Sequence, residues 1–359
     1  MTKLYFSTDK ALAILATERT RAQCDFQMPG RDAQCVAFDP LRPQFIYCGT
    51  FGSGLWRSDD AGETWRPAGD GITQTRVLSV AVNRVERVKG VGVVYAGSEP
   101  TAIFRSEDAG ETWQECKGLS DLPSASAWSF PPRPETHHAR WIETDPHVEG
   151  RLFVAVEAGA LIRSLDAGVT WQDRRPGGPY DAHQLQTHLR SAGRLYSAAG
   201  DGYFESRDGG NTWKQLEEGL RHKYLWSVAV DSGDADNVIV SAAASPLRSH
   251  GDSNPESYVY RRTGEQPWEK IDRGLPGPPG SILPFLQPIQ SNPEHFSRLG
   301  SATYFAPLMQ ARAGNASMYH CPKAPASMRC AHLLWLKCNT SAPGAECEMS
   351  IRHAEHTQR

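Results

Sequence analysis

Short apolar runs separated by polar turns recur along most of the chain. Val77 to Val82, Trp141 to Thr144 and Leu225 to Val230 each read as an opening strand. Second runs lie at Gln44 to Gly49, Val93 to Gly97, Leu152 to Val156 and Arg194 to Ala198. A third run follows a short loop, as Gly54-Leu55-Trp56-Arg57 does in the first unit. Runs this short, rich in β-branched and aromatic residues and bounded by Gly, Asp and Pro, predict strands. Each unit therefore reads strand, turn, strand, loop, strand, turn, strand.

The last turn of the unit repeats almost letter for letter. Ser58-Asp59-Asp60-Ala61-Gly62-Glu63-Thr64-Trp65 is followed by Ser106-Glu107-Asp108-Ala109-Gly110-Glu111-Thr112-Trp113. Ser164-Leu165-Asp166-Ala167-Gly168-Val169-Thr170-Trp171 and Ser206-Arg207-Asp208-Gly209-Gly210-Asn211-Thr212-Trp213 come next. Tyr260 to Trp268 is a worn copy. Successive Trp residues are 48, 58, 42 and 55 positions apart, a period that suits a four-stranded propeller blade with its loops. The residue types fit a turn. Asp caps its own backbone N–H groups, Gly takes a positive φ, and Trp buries a ring where the next strand begins. Ser58, Asp60, Gly62, Trp65 and their counterparts thus read as structural.

These units resemble the Asp-box, or BNR, repeats of β-propellers. Such repeats occur in sialidases, xyloglucanase-type glycosidases, sortilin ectodomains and the photosystem II assembly factor. The resemblance implies an all-β, seven-bladed β-propeller of four-stranded antiparallel blades, but no single activity, because these families differ on one fold. Sialidase chemistry, as the resemblance implies it, needs a Tyr nucleophile with Glu, an Asp acid/base, three Arg residues on a carboxylate and an Arg-Ile-Pro motif. The chain has no Arg-Ile-Pro or Arg-Leu-Pro. Arg76 and Arg140 are two candidates for the anion grip and no third is evident, which argues against sialidase activity. The xyloglucanase type pairs two propellers, and this chain has the repeats of one.

The blade count comes from both ends. Leu4 to Leu15 resembles the middle strands of a blade without its box, and five boxed units follow. Ile282 to Leu286 opens another unit that never reaches a box. Residues 1–299 are therefore assigned to the propeller, with an incomplete last blade, and 300–359 to an irregular tail. One codon choice for Tyr304 to Ala316, read two bases on, encodes Phe-Arg-Ser-Thr-Asp-Ala-Gly-Pro-Ser-Trp-Glu-Arg. That is a further copy at the observed period, so a frameshift near residues 296–300 accounts for the tail. A divergent extension bearing Cys321, Cys330, Cys338 and Cys347 is the alternative.

Composition narrows the function classes. Thirty-eight Lys and Arg against 41 Asp and Glu give a net charge of −3, which excludes a generic nucleic-acid binder. No apolar run is long enough to span a membrane. Met1 to Phe6 has one early Lys, and Ala11 to Ala16 is too short for a signal-peptide core, so a cytoplasmic location is expected. Cys24, Cys35, Cys48 and Cys116 sit in apolar stretches as free buried thiols do, and the tail cysteines match no familiar zinc spacing.

In a propeller the loops entering the inner strands fall on the face opposite the boxes. Candidate chemistry gathers there: His137, His138 and Arg140; Tyr180, Asp181 and His183; Tyr224 and Trp226; and Arg76. The four side chains His137, His138, Asp181 and His183 are expected to converge, with Tyr180, Tyr224 and Trp226 as apolar walls. Imidazole and carboxylate together suit a divalent metal or acid–base work by Asp181, His138 and His183. The plainer reading is a hydrogen-bonded plug of the channel. Two functions follow: a scaffold binding a small ligand, carbohydrate or protein on the box-free face, or a glycoside hydrolase-like enzyme.

Overall fold

A computed structural model describes residues 2–7, 11–18, 21–250, 255–272, 284–288, 305–309, 332–338 and 347–353. It is built from antiparallel strands in the expected order. β1 (Thr2–Ser7), β2 (Leu12–Glu18) and β3 (Arg21–Gln27) pair in sequence. The first boxed unit forms a four-stranded sheet of β4 (Ala33–Asp39), β5 (Arg42–Thr50), β6 (Leu55–Ser58) and β7 (Arg66–Pro67). The second comprises β8 (Arg76–Val88), β9 (Val91–Glu99), β10 (Ile103–Ser106) and β11 (Gln114–Cys116). The third has β12 (Ala139–Thr144), β13 (Leu152–Val156) and β14 (Ala160–Ser164), with a bridge between Arg163 and Gln172 in the fourth place. The fourth is β15 (Ala182–Thr187), β16 (Leu195–Ala199), β17 (Gly202–Ser206) and β18 (Lys214–Gln215). The fifth is β19 (Tyr224–Asp231), β20 (Asp234–Ala243), β21 (Tyr258–Thr263) and β22 (Glu269–Ile271), with the short helix α1 (Pro246–His250) between its second and third strands.

The chain divides into two compact units. One holds Tyr5–Ala13 and Phe26–Leu216; the other holds Met1–Leu4, Ile14–Asp25 and Glu217–Arg359. In the second unit β23 (Pro284–Pro288) pairs with β24 (Phe305–Met309), and β25 (His332–Cys338) with β26 (Cys347–His353). The rest of the segment assigned to an irregular or frameshifted tail lies outside the described residues. Among the described residues no helix is long and apolar enough to cross a membrane.

Within the larger unit neighbouring blades pack inner strand to inner strand, β4 on β8, β8 on β12 and β12 on β15. The second strands are buried along both faces, so they read as continuous apolar runs; every residue of β13 and β16 is buried. Tyr47, Val77, Val94, Phe104 and Trp113 fill the space between the first two blades. Tyr95, Ile103, Trp128, Ile142 and Leu152 fill the next. Burying each such side chain stabilises the fold by roughly 1.5–3 kcal/mol. Gly97 is required by this packing. A Cβ there would lie 2.8 Å from the Ala139 Cβ of the next inner strand, and closer still to Ser79 Oγ.

The repeated turn has one geometry in four copies. In the first, Ser58 Oγ donates to Asp60 Oδ1 at 2.7 Å and accepts from Gly62 N at 2.7 Å. Asp60 accepts from Thr64 N and Thr64 Oγ1 at 2.9 and 2.6 Å. The Asp108, Asp166 and Asp208 carboxylates accept the same pair of bonds from Thr112, Thr170 and Thr212. Ser106, Ser164 and Ser206 donate to them and accept from Gly110, Gly168 and Gly210. These bonds to the charged form, first of all those from Thr64, hold the Asp60 carboxyl down to about 2. Positive φ is needed at two consecutive positions: Ala61 stands at 57° and Gly62 at 88°, and Ala109 and Ala167 repeat the first value within a few degrees. Sequence reasoning attached that demand to the glycine alone.

The turns also couple blades. Tyr5 Oη donates to Ala61 O at 2.8 Å and Tyr47 Oη to Ala109 O at 2.9 Å. Arg57 adds a second bond to Ala109 O. Arg163 Nη1 reaches Gly209 O at 2.8 Å, and its Nη2 reaches Asn211 at 2.7 Å. Trp113 is buried with its Nε1 donating to Ala68 O of the preceding blade at 2.7 Å.

Candidate functional site

The box-free end of the larger unit is organised around two buried carboxylates. Neither was singled out from sequence. Glu99 closes β9 and Glu157 follows β13, so both stand at the same register point of adjacent blades, beside the residue that opens an inner strand. Phe51 occupies that point in the first blade and bridges to Arg76. The aligned runs Tyr47-Cys48-Gly49-Thr50-Phe51, Tyr95-Ala96-Gly97-Ser98-Glu99 and Phe153-Val154-Ala155-Val156-Glu157 carry this signal in the sequence.

Glu99 is gripped by Arg133 through a fork, with Nε on Oε1 at 3.0 Å and Nη2 on Oε2 at 2.6 Å, while Arg76 Nη1 donates to Oε1 at 2.7 Å. Burial alone would raise its pKa. Arg133, with His138 and Arg76, more than cancels that and holds it below the ordinary carboxylate range. Arg133 comes from the Pro-rich loop that enters the third blade. That loop is closed on itself by Phe130 N to Thr136 O at 2.8 Å and Arg133 N to Phe130 O at 2.7 Å. The guanidiniums stack as well as pair. Arg76 lies 4.7 Å from the Phe51 ring centre, and Arg133 lies 5.3 Å from Phe51 and 4.8 Å from Phe130.

His138 joins the two carboxylates. Its Nε2 stands 2.8 Å from Glu157 Oε2 and its Nδ1 3.5 Å from Glu99 Oε2, with the ring edge-on to Phe130 at 4.6 Å. Glu157 also has Arg140 Nε at 3.5 Å and His183 Nε2 at 3.9 Å. Against the penalty of burial, the His138 bond and the charges of His183, His138 and Arg140 hold Glu157 down to about 2. Asp181 completes the chain: Oδ1 lies 3.5 Å from His183 Nε2 and accepts from Ala158 N at 2.8 Å.

His138, His183, Asp181, Arg140 and Arg76 therefore enter one network, with Glu99, Glu157 and Arg133 as the members sequence reasoning did not name. His137 stands aside. It packs edge-on to Trp128 at 5.6 Å, and burial followed by the neighbouring His138 lowers its pKa. Tyr180 is exposed, with the Arg174 guanidinium 5.3 Å over its ring. Tyr224 and Trp226 are buried in β19 against Ala243, in the other compact unit. Among the described residues no group of three His, Cys, Asp or Glu side chains is arranged to hold a metal ion. An open cleft of about 530 Å³, lined by residues that include Ser53, Leu55, Arg66, Ile72, Thr75 and Glu111, holds none of the network.

Solved structures share this architecture. An ancestral GH74 enzyme superposes with a TM-score of 0.61 at 14% identity, over 98% of this chain and 40% of its own. The GH74 xyloglucanase from Xanthomonas campestris gives 0.50 at 16% identity, over 95% of this chain and 65% of its own. YCF48 from Cyanidioschyzon merolae gives 0.53 at 10% identity, over 88% of this chain and 84% of its own. The chain spans less than two thirds of either GH74 protein. All three are β-propellers, and at these identities the likeness establishes that fold alone. No family model and no curated protein matches the chain.

Proposed function

We propose that this chain is a seven-bladed propeller of the Asp-box type that binds a protein segment on its box-free face and catalyses no reaction. The observation that carries this reading is the state of the two buried carboxylates. Arg133 and Arg76 donate to Glu99, and His138 and Arg140 stand against Glu157, a setting that favours the ionised carboxylate in both. Glycoside hydrolysis needs one carboxylic acid kept protonated by a raised pKa, and the network supplies the opposite environment.

The exposed surface of the network suits a peptide. Arg76 and Arg133 keep 43% and 35% of their side chains open to solvent and are held rigid on Phe51 and Phe130. Rigid guanidinium edges recognise carboxylates. The rings that would stack against a sugar are covered by guanidinium instead. An extended segment with an acidic residue beside apolar ones fits this surface better than a carbohydrate or a small neutral ligand.

Selection of displayed random peptides on the immobilised full chain tests the proposal. Acid-rich segments should be enriched, and their binding should be lost in Arg76→Ala with the fold retained. Turnover of xyloglucan that disappears in Asp181→Asn while binding persists would assign the hydrolase reading instead.

A further inference from the structure

The opposite end of the larger unit carries a second surface. The hairpins joining first and second strands lie beside the repeated turns, as shown by Ala167 N to Gly150 O at 2.7 Å and Gly209 N to Gly193 O at 3.0 Å. Almost every exposed large apolar side chain of this unit sits at that end. In the first blade these are Phe38 and Leu41 and in the third Leu165, Val169 and Val148; Val85 lies in the second blade and Leu189 in the fourth. The third and fourth hairpins touch, with His147 Nε2 2.9 Å from His188 O. Leu165 and Val169 stand where the first two turns carry Asp59 and Glu63, and Glu107 and Glu111. At the same two positions the fourth turn carries Arg207 and Asn211. The surface thus runs from acidic through apolar to basic across three neighbouring blades, although Arg105 and Arg66 partly offset the second blade's acids.

We propose that this face pairs with a second copy of the same chain through an isologous contact whose two-fold axis lies along the third blade. Such an axis sets the third blades' Val169 and Leu165 against each other. It also sets the second blade of each copy on the fourth blade of the other. Glu107 then meets Arg207, and Val85 meets Leu189. Charge and apolar positions match themselves under one operation. A single-sign or uniformly polar face would not do so.

Sedimentation equilibrium of the full chain tests this. The wild type should show a concentration-dependent monomer–dimer equilibrium, as a weak, transient interface does. About 0.5 M salt should weaken the dimer, because rim charges are screened. Val169 is 76% exposed, so Val169→Glu, the residue type of the first two turns, leaves folding intact. It should raise the dissociation constant at least about tenfold. Glu107→Arg and Arg207→Glu should each weaken association alone, and an equimolar mixture of the two should restore it, because every charge pair is complementary in the mixed dimer. A monomer at all concentrations, a Val169→Glu variant that dimerises as well as wild type, or a mixture no tighter than its components would each overturn the proposal.

Discussion

His138 shows how one side chain ties a site together. It stands between two buried carboxylates from adjacent blades, and its position rests on nothing more than preceding an inner strand. The pH dependence follows from Glu157. A free glutamate titrates near 4.5, and this one is held down to about 2. A depressed carboxyl contributes stability that is fully present above the unfolded pKa and is lost as pH falls through the folded one. Thermal stability should therefore fall between about pH 4.5 and 2. Replacing Glu157 with Gln should flatten that part of the profile, measured by calorimetry across the range. An unchanged slope would remove Glu157 from the set of groups responsible. Removing a partner acts differently. Arg133→Ala leaves Glu99 buried with one guanidinium fewer, and urea titration should show a loss on the order of 1–3 kcal/mol. The double change Arg133→Ala, Glu99→Gln should recover part of it.

At the scale of elements, the turn was legible in all but the positive φ before its glycine, and the site only in part. The Ser-x-Asp-x-Gly-x-Thr-Trp spacing forces one backbone path, because four side-chain bonds and two positive φ values are satisfied together. Local chemistry of this kind is written in consecutive residues. Asp108→Ala removes acceptors for Ser106, Glu111 and Thr112, and should lower stability by about 1–2 kcal/mol, the scale of a lost cap. Gly97→Ala should cost a comparable amount, about 1–3 kcal/mol, by pushing β9 from the next inner strand, a typical overpacking penalty. The network depends on which strand ends face each other across blades. Position before an inner strand picked out Arg76, His138, Asp181 and His183, but gave no hint of the second-strand ends Glu99 and Glu157. Tyr180 and His137 obey the same positional rule and still turn away, Tyr180 under Arg174 and His137 onto Trp128.

At the scale of the molecule, the repeats divide labour between two ends. The box end holds blades to one another through Tyr47, Arg57 and Arg163, and the other end gathers charge at Glu99 and Glu157. The proposed seventh blade has its own expectation: the coding sequence around codons 290–320 should contain the alternative frame with its further turn copy, and a gene whose codons exclude that reading removes it. The separation of roles is the central claim, and calorimetric titration with one selected acidic peptide tests it most directly. Wild type, Arg76→Ala and Asp108→Ala are compared at one temperature. Arg76→Ala should weaken binding at least about tenfold, the loss of one charge-assisted contact, and should melt somewhat earlier but stay folded at the measuring temperature, because Arg133 still holds Glu99. Asp108→Ala should melt earlier and bind as wild type does. Loss of binding in Asp108→Ala with unchanged melting, or full affinity in Arg76→Ala, would contradict the assignment of binding to the box-free end.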